Sequence, residues 1–156
     1  MSAWQWIGEA TILAIHDEQL AEHGGSEGLR DEGLLDSALA KPQNVFAYSD
    51  ASDLYRLSAS YAFGIARNHA FVDGNKRTAL VVSILFLNLN GWDIKAPKAD
   101  VYETFLGLAA GSLSEEQLAA WLSRHAVPLE PPARVFFTGK PSNNRGILVS
   151  AGDVRL

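Results

Sequence analysis

The sequence predicts an all-α fold: a compact helical bundle around one central buried helix, followed by a proline-rich, non-helical C-terminal tail. Apolar residues recur at helical spacing in several segments before Val127. One of these segments, residues 75–90, is apolar almost all round, which is typical of a helix inside a core. The same part of the sequence has no convincing alternation of apolar and polar residues, the pattern that would predict a strand.

The first two helices are predicted from apolar spacing and from the residues that begin or end a helix. Helical spacing runs from Ile7 to His23, and the pair Gly24-Gly25 then ends the helix. A second, short helix is predicted from Glu32 to Ala40, with Asp31 as its N-cap. Pro42 is expected to close it, because proline lacks the backbone donor that a helix interior needs.

The middle of the chain is predicted to form two helices joined by a short loop. Residues 41–53 read as an irregular link with exposed aromatic side chains, and apolar spacing then predicts a helix from Leu54 to Asn68. A loop at residues 69–74 leads into the apolar helix, Asn75 to Asn90, which Gly91 ends.

Two further helices are predicted, from Pro97 to Ala110 and from Ser114 to His125. The second opens with SEEQ, in which a serine followed three positions later by glutamine matches a capping box. We therefore expect one helical domain over residues 1–127 and a separate tail over residues 128–156. Four of the six prolines lie in this tail, which fits a small hairpin, a strand that pairs with a partner, or a flexible segment.

Composition narrows the class of protein. The chain has 156 residues, 47% of them hydrophobic, and a net charge of −5, which disfavours nucleic-acid binding through a broad basic surface. The absence of cysteine excludes disulfides, thiolate zinc sites and a cysteine nucleophile. The N-terminus has no signal-peptide pattern, and the most apolar segment, residues 79–89, is too short to cross a bilayer. A soluble, cytoplasmic protein is expected.

The stretch HAFVDGNKRTAL, residues 69–80, carries most of the chemistry in the sequence. Gly74 and Asn75 begin the apolar helix, whose first turn offers free backbone N–H groups and the positive end of the helix dipole. Those features make an anion site. Lys76 and Arg77 add two cations at an end where the helix itself prefers acids, and a bound polyphosphate would explain them.

Asp73 and His69 complete the predicted site. A carboxylate beside phosphate oxygens would repel them unless Mg²⁺ lay between, so Asp73 is the expected metal ligand. His69 can take the proton from an attacking hydroxyl at neutral pH. Each residue alone has a structural explanation, as a surface histidine, a turn, a helix cap or a solvated cation. Their combination and order favour phosphate chemistry.

The same stretch resembles the signature of the Fic/Doc superfamily, H-x-F-x-[D/E]-G-N-x-x-R, and its form here, H-x-F-x-D-G-N-K-R-T-A, is similar to the Doc (death-on-curing) branch. Residues 28–44 and 61–91 also resemble this branch. Many relatives have proline after the histidine, where this chain has Ala70, a difference that removes no chemical group. The resemblance implies a helical bundle around the Asn75 to Asn90 helix.

The resemblance also implies an activity. Most of the superfamily transfers AMP from ATP to a protein hydroxyl and has a glycine where this chain has Lys76, so the nucleotide is expected to bind here in another orientation. The Doc branch is a toxin of a toxin–antitoxin system that transfers the γ-phosphate to a threonine of translation elongation factor Tu, which arrests translation. Its usual partner is a small antitoxin of the Phd type, whose C-terminal segment covers the toxin.

Carried onto this sequence, the resemblance implies that His69 activates the acceptor hydroxyl and Asp73 holds Mg²⁺. Gly74 and Asn75 would bind the phosphates of ATP through backbone and side chain. Lys76 and Arg77 would neutralise the charge that builds on the transferred group.

Other interpretations remain open from the sequence. The chain could transfer AMP, or it could be a degenerate domain that binds a nucleotide or a partner without turnover. Arg67 and Asn68 are weaker candidates, since either could simply end a helix, and residues 45–48 could align the target segment or pack against the helices. The tail could pair with the antitoxin or fold back over the site. Three histidines receive no role: His16, His23 and His125.

Overall fold

Six α-helices and one short pair of strands form the part of the chain that the computed structural model describes, residues 4–48 and 53–129. The helices are α1 (Glu9–His23), α2 (Glu32–Tyr48), α3 (Leu54–Asn68), α4 (Asn75–Leu89), α5 (Lys98–Ala110) and α6 (Glu115–His125). The strands are β1 (Trp92–Ile94) and β2 (Ala126–Pro128). The predicted all-α class is therefore confirmed, with a minor strand pair added.

Helix α4 lies in the middle of the core, as its apolar sequence predicts. Residues 82–88 are buried without a break, and α3 packs along them with most of its own surface buried. Inside this contact the hydroxyl of Ser58 lies 2.8 Å from both the hydroxyl and the carbonyl oxygen of Ser83, so a polar group in the core finds partners on the neighbouring helix. The loop between α3 and α4 therefore connects the two most deeply buried helices, which hold both of its ends in place.

Most predicted helix ends are confirmed, because local hydrogen bonds define them. Helix α3 begins and ends at the predicted residues. The Oδ1 of Asp31 accepts a hydrogen bond from the backbone of Leu34 at 3.0 Å, and Ser114 and Gln117 form both halves of the predicted capping box. Within the described residues, the longest helix has 17 residues, and every helix falls short of the length and hydrophobicity that crossing a membrane requires.

The prediction that Pro42 closes α2 is wrong. Pro42 lies buried inside the helix, which runs on to Tyr48, so residues 41–48 of the expected irregular link are helical, while residues 49–52 lie outside the described part. The missing backbone donor is offset by packing against α3. At this contact Gly64 is so close to Ala38 that an added Cβ would lie 3.1 Å from the Ala38 Cα.

The strand pair is also a correction, since the sequence predicted no strand before Val127. Strand β1 pairs antiparallel with β2, with Asp93 opposite Val127. Strands of three residues are too short to show an alternating pattern. Pro128, which the sequence assigned to the tail, belongs to β2, and the backbone of Leu129 donates to the carbonyl of Gly91 at 3.1 Å. The predictions for residues 130–156 lie outside the described residues.

Candidate active site

The motif loop, residues 69–74, connects α3 to α4 and starts from an unusual backbone conformation. His69 has a φ of 53°, the one left-handed value found at a non-glycine position among the described residues. Arg30 stabilises this turn, because its guanidinium donates to the carbonyls of His69 and Asn68 at 2.6 and 3.0 Å. A cation at the carbonyl end of α3 also complements the helix dipole. The direction in which His69 leaves the helix is therefore well defined.

The α1–α2 connector, residues 24–31, holds the motif loop along one side. The backbone N–H groups of Arg30 and Asp31 both donate to the carbonyl of Ala70, at 2.7 and 3.1 Å. The backbone of Val72 donates to the carbonyl of Gly28 at 3.0 Å. These contacts resemble a short stretch of antiparallel sheet, so the motif loop has little freedom to change shape.

Asn75 closes the motif loop from the other side. Its Oδ1 accepts a hydrogen bond from the backbone of Phe71 at 3.0 Å, and its Nδ2 donates to the Phe71 carbonyl at 2.9 Å. The side chain is buried, and both ends of its amide are engaged inside the loop. The sequence interpretation had this side chain binding phosphate; in the structure it organises the loop, and its backbone N–H is the group that remains for an anion.

The first turn of α4 has the features of an anion site. The helix makes its first hydrogen bond from the backbone of Thr78 to the carbonyl of Gly74 at 3.0 Å, so the N–H groups of residues 75–77 precede the helical ladder. Arg77 donates through Nη2 to the carbonyl of Gly24 at 3.1 Å. Its Nε is buried and has no acceptor within the described residues.

Asp73 is exposed, and two backbone donors orient its carboxylate. Oδ2 accepts from the N–H of Ser26 at 3.2 Å, and Oδ1 accepts from the N–H of Gly74 at 2.8 Å. These two hydrogen bonds, the one from Ser26 first, lower the pKa of Asp73 below its ordinary value, and the charges of Arg77 and His16 lower it further. The side chain is therefore held as a carboxylate.

Asp73→Asn should change the stability of the protein in a pH-dependent way. The stabilising contribution of the carboxylate is fully present above the ordinary pKa of 3.8 and is lost as the pH falls through the lower, folded-state pKa. We expect the wild-type protein to unfold at a higher temperature than Asp73→Asn at neutral pH, and this difference to shrink in strong acid. Thermal unfolding of both proteins over a pH series measures it. If the difference in unfolding temperature between the two proteins stays the same on acidification, the carboxylate of Asp73 does not stabilise the protein in this way.

The carboxylate of Asp73 fits the way proteins hold Mg²⁺. Proteins usually bind this ion through one or two carboxylates together with substrate phosphates. Each oxygen of Asp73 accepts one backbone hydrogen bond and keeps further lone pairs for a cation. Within the described residues, no group of three His, Asp or Glu side chains could form a metal cage. A divalent ion at Asp73 would therefore take its remaining ligands from phosphate and water.

One cavity of about 510 Å³ brings the predicted site residues together. Its polar side contains all six of them: His69, Asp73, Gly74, Asn75, Lys76 and Arg77. Its other side is largely apolar and comes from α5, through Tyr102, Phe105 and Leu106. The sequence assigns no part of the site to α5, because no motif in that helix indicates a site and it lies more than 20 positions after the motif loop. A half-polar, half-apolar cavity of this size suits a nucleotide-sized ligand.

The weaker candidates lie away from this cavity. Arg67 stacks its guanidinium on the ring of Phe63, with 5.3 Å to the centroid. The side chain of Asn68 donates to the carbonyl of Leu34 at 3.3 Å and lines a different groove, between α2 and α3. Arg67 therefore makes a contact within α3, and Asn68 makes one between α3 and α2.

His16 is the residue that sequence reasoning passed over. Its imidazole is buried, and its Nε2 lies 2.7 Å from the carbonyl oxygen of Asp73. A signal was available, because His16 lies four residues after Ile12 and four before Leu20, on the apolar face of α1. A polar side chain on such a face needs a hydrogen-bond partner, and here the partner is the motif loop.

Comparison with known proteins agrees with the resemblance of the motif. Residues 6–87 match the Fic/DOC family. The chain is 34% identical over 118 residues to the protein kinase doc of Escherichia phage P1, an alignment that covers 76% of this chain and 93% of that protein. It is 45% identical over 74 residues to the toxin Doc of Mycolicibacterium smegmatis, covering 47% of this chain and 57% of that protein.

Proposed function

The chain belongs to the Fic/Doc family, and on that basis we propose that it is a Doc-type toxin kinase. It transfers the γ-phosphate of ATP to a serine or threonine hydroxyl of a protein. The observation that carries the proposal is the single cavity in which His69, Asp73 and the first turn of α4 meet. The proposed acceptor is translation elongation factor Tu, so that the outcome of the reaction is the arrest of translation.

The anion site receives the phosphates of ATP. Backbone N–H groups of residues 75–77, the helix dipole and the side chains of Lys76 and Arg77 all act on the same oxygens. Phosphoryl transfer is catalysed mainly by positioning and by neutralising charge, and these groups supply both. Lys76 fills space that a glycine would leave open beside the backbone, which favours a terminal phosphate over an AMP group at this point.

The proposed reaction uses His69 as the proton acceptor. Its imidazole takes the proton of the acceptor hydroxyl while that oxygen forms a bond to the γ-phosphorus, and the bond between this phosphorus and the β–γ bridging oxygen breaks, releasing ADP. Mg²⁺, when bound, neutralises charge on the phosphate oxygens, and Asp73 is the residue that would hold it. The apolar wall of α5 is available to the nucleoside or to the acceptor segment.

The test is to measure the mass of the modified acceptor protein. We expect elongation factor Tu, incubated with the full-length protein, ATP and Mg²⁺, to gain the mass of one phosphoryl group and to take label from γ-labelled but not α-labelled ATP. An AMP-sized gain with α-label would overturn the kinase assignment in favour of adenylyl transfer. An unmodified factor would remove elongation factor Tu as the substrate.

The proposed partner is a small antitoxin of the Phd type encoded beside the toxin. Expression of the chain alone is expected to arrest growth, and co-expression of the neighbouring small protein is expected to relieve the arrest. Growth arrest that persists in the presence of that protein would remove this partner from the proposal.

A further inference from the structure

His16 lies outside the motif and outside the cavity, yet it contacts the motif loop twice. Its ring stacks on Phe71 with 3.8 Å between centroids and 11° between planes. Its Nε2 lies 2.7 Å from the carbonyl oxygen of Asp73. Only 3% of the residue is exposed, so packing prevents the ring from turning away.

The chemistry of this contact is unambiguous. A carbonyl oxygen can only accept a hydrogen bond, so Nε2 of His16 carries the hydrogen and donates it. The carbonyl of Asp73 belongs to the same planar peptide group as the N–H of Gly74. That N–H donates to Oδ1 of Asp73 at 2.8 Å. By holding one end of the peptide plane, His16 sets the direction of the donor at the other end, and hence the direction of the carboxylate.

The same peptide group also precedes the anion site. Gly74 is the N-cap of α4 and has a left-handed φ of 81°. A rotation of the peptide before it would tilt the first turn of the helix relative to Asp73. The His16 ring lies next to Gly74, since a Cβ added at Gly74 would be in ordinary van der Waals contact with the ring, at 3.5 Å.

We propose that His16 is a positioning residue, which aims the Asp73 carboxylate and the first turn of α4 at the cavity by holding the Asp73 carbonyl. The inference rests on the proposed function, since phosphoryl transfer is the reaction that this geometry serves.

Four variants of the full-length protein test the role of His16. His16→Gln keeps a donor near the position of Nε2, and His16→Met has a similar shape without the donor. His16→Phe keeps the ring that stacks on Phe71 and also lacks the donor. His125→Phe is the matched control, because the Nδ1 of His125 lies 2.9 Å from the carbonyl of Trp121 and its ring packs on Trp121, away from the cavity.

We expect His16→Met and His16→Phe to lower kcat for phosphoryl transfer on the order of 10²-fold, the usual effect of a displacement of about 1 Å. The KM for the acceptor should stay unchanged, because His16 is not part of the cavity wall. His16→Gln should recover most of the kcat, and His125→Phe should keep all of it. If His16→Phe does not fold, the comparison of His16→Gln with His16→Met decides the question.

A second measurement needs no activity. The backbone amide NMR signals of Ser26 and Gly74 report the two hydrogen bonds to the Asp73 carboxylate. Because His16→Met and His16→Gln both remove the ring current of the imidazole, these two variants are compared with each other: their signals should differ, and those of His125→Phe should stay in place. Signals that coincide in His16→Met and His16→Gln, together with a wild-type kcat in His16→Met, would overturn the role of His16. If the wild-type protein transfers no phosphate at all, the proposed function fails, while the amide signals still decide whether His16 holds the loop.

Discussion

His69→Asn is expected to lower kcat for phosphoryl transfer by about 10²–10⁴-fold, the range for loss of a general base. Asparagine is the appropriate replacement because His69 has a left-handed backbone, which asparagine tolerates better than alanine. The side chain is exposed, so the thermal stability of the variant should change little. Steady-state transfer of labelled γ-phosphate to the acceptor protein measures the effect, and growth on expression provides a second readout.

His23→Asn is the control for this experiment. His23 is also exposed and lies at the end of α1, outside the cavity. Its Nε2 is 3.7 Å from Oε1 of Glu22. Its replacement should leave kcat unchanged. A His69→Asn or His69→Ala protein that still arrests growth without transferring phosphate would favour a domain that acts by binding alone. One that transfers phosphate at the wild-type rate would remove the proton-acceptor role of His69.

Arg77→Gln is expected to lower kcat/KM on the order of 10³-fold, because a guanidinium that stabilises charge on a transferred phosphoryl group contributes at least this much in related chemistry. Glutamine keeps a polar amide without the charge, but it is too short to reach the Gly24 carbonyl that Nη2 of Arg77 contacts at 3.1 Å, so thermal unfolding of the variant is measured beside its kinetics. The kcat/KM of Arg77→Lys should lie between those of the wild type and Arg77→Gln, since lysine keeps the charge but lacks the planar set of N–H donors of a guanidinium.

Arg67→Gln is the matched control, because Arg67 is exposed, stacks on Phe63 and lies outside the cavity. It should keep the wild-type kcat/KM. Kinetics of all three variants, together with their affinity for ATP, separate loss of catalysis from loss of binding. An Arg77→Gln protein with wild-type kcat/KM, or an equal loss in Arg67→Gln, would contradict the proposed role of Arg77.

Family membership and the polar side of the site could be predicted because their determinants are local. The stretch from His69 to Arg77 carries a histidine, an acid, a glycine turn and two cations within nine positions, and a turn between two helices keeps such groups together whatever surrounds it. The family is confirmed by the comparisons, and the six predicted residues do line one cavity. Their catalytic roles remain predictions for the experiments above.

The hydrogen bonds that hold the motif loop were not predicted from the sequence. Asn75 was expected to reach phosphate, and it instead bonds both backbone groups of Phe71. Ser26 and His16 contact Asp73 across 47 and 57 positions of sequence. The apolar face of α1 indicates that His16 needs a partner, but the identity of that partner, like that of Ser26, depends on how α1 and the α1–α2 connector pack against the motif loop.

The sequence by itself determined the helices, their caps and the order of chemical groups in the motif, because each depends on residues within about one helical turn of one another. Tertiary structure decided the rest. Helix α2 continues past Pro42 because it packs against α3. Residues 92–94 and 126–128 become strands because they pair with each other. Helix α5 forms the apolar wall of the cavity because it packs next to the motif loop. The physical reason is the same in each case: burial and hydrogen bonding between distant segments outweigh local propensity once the chain is folded.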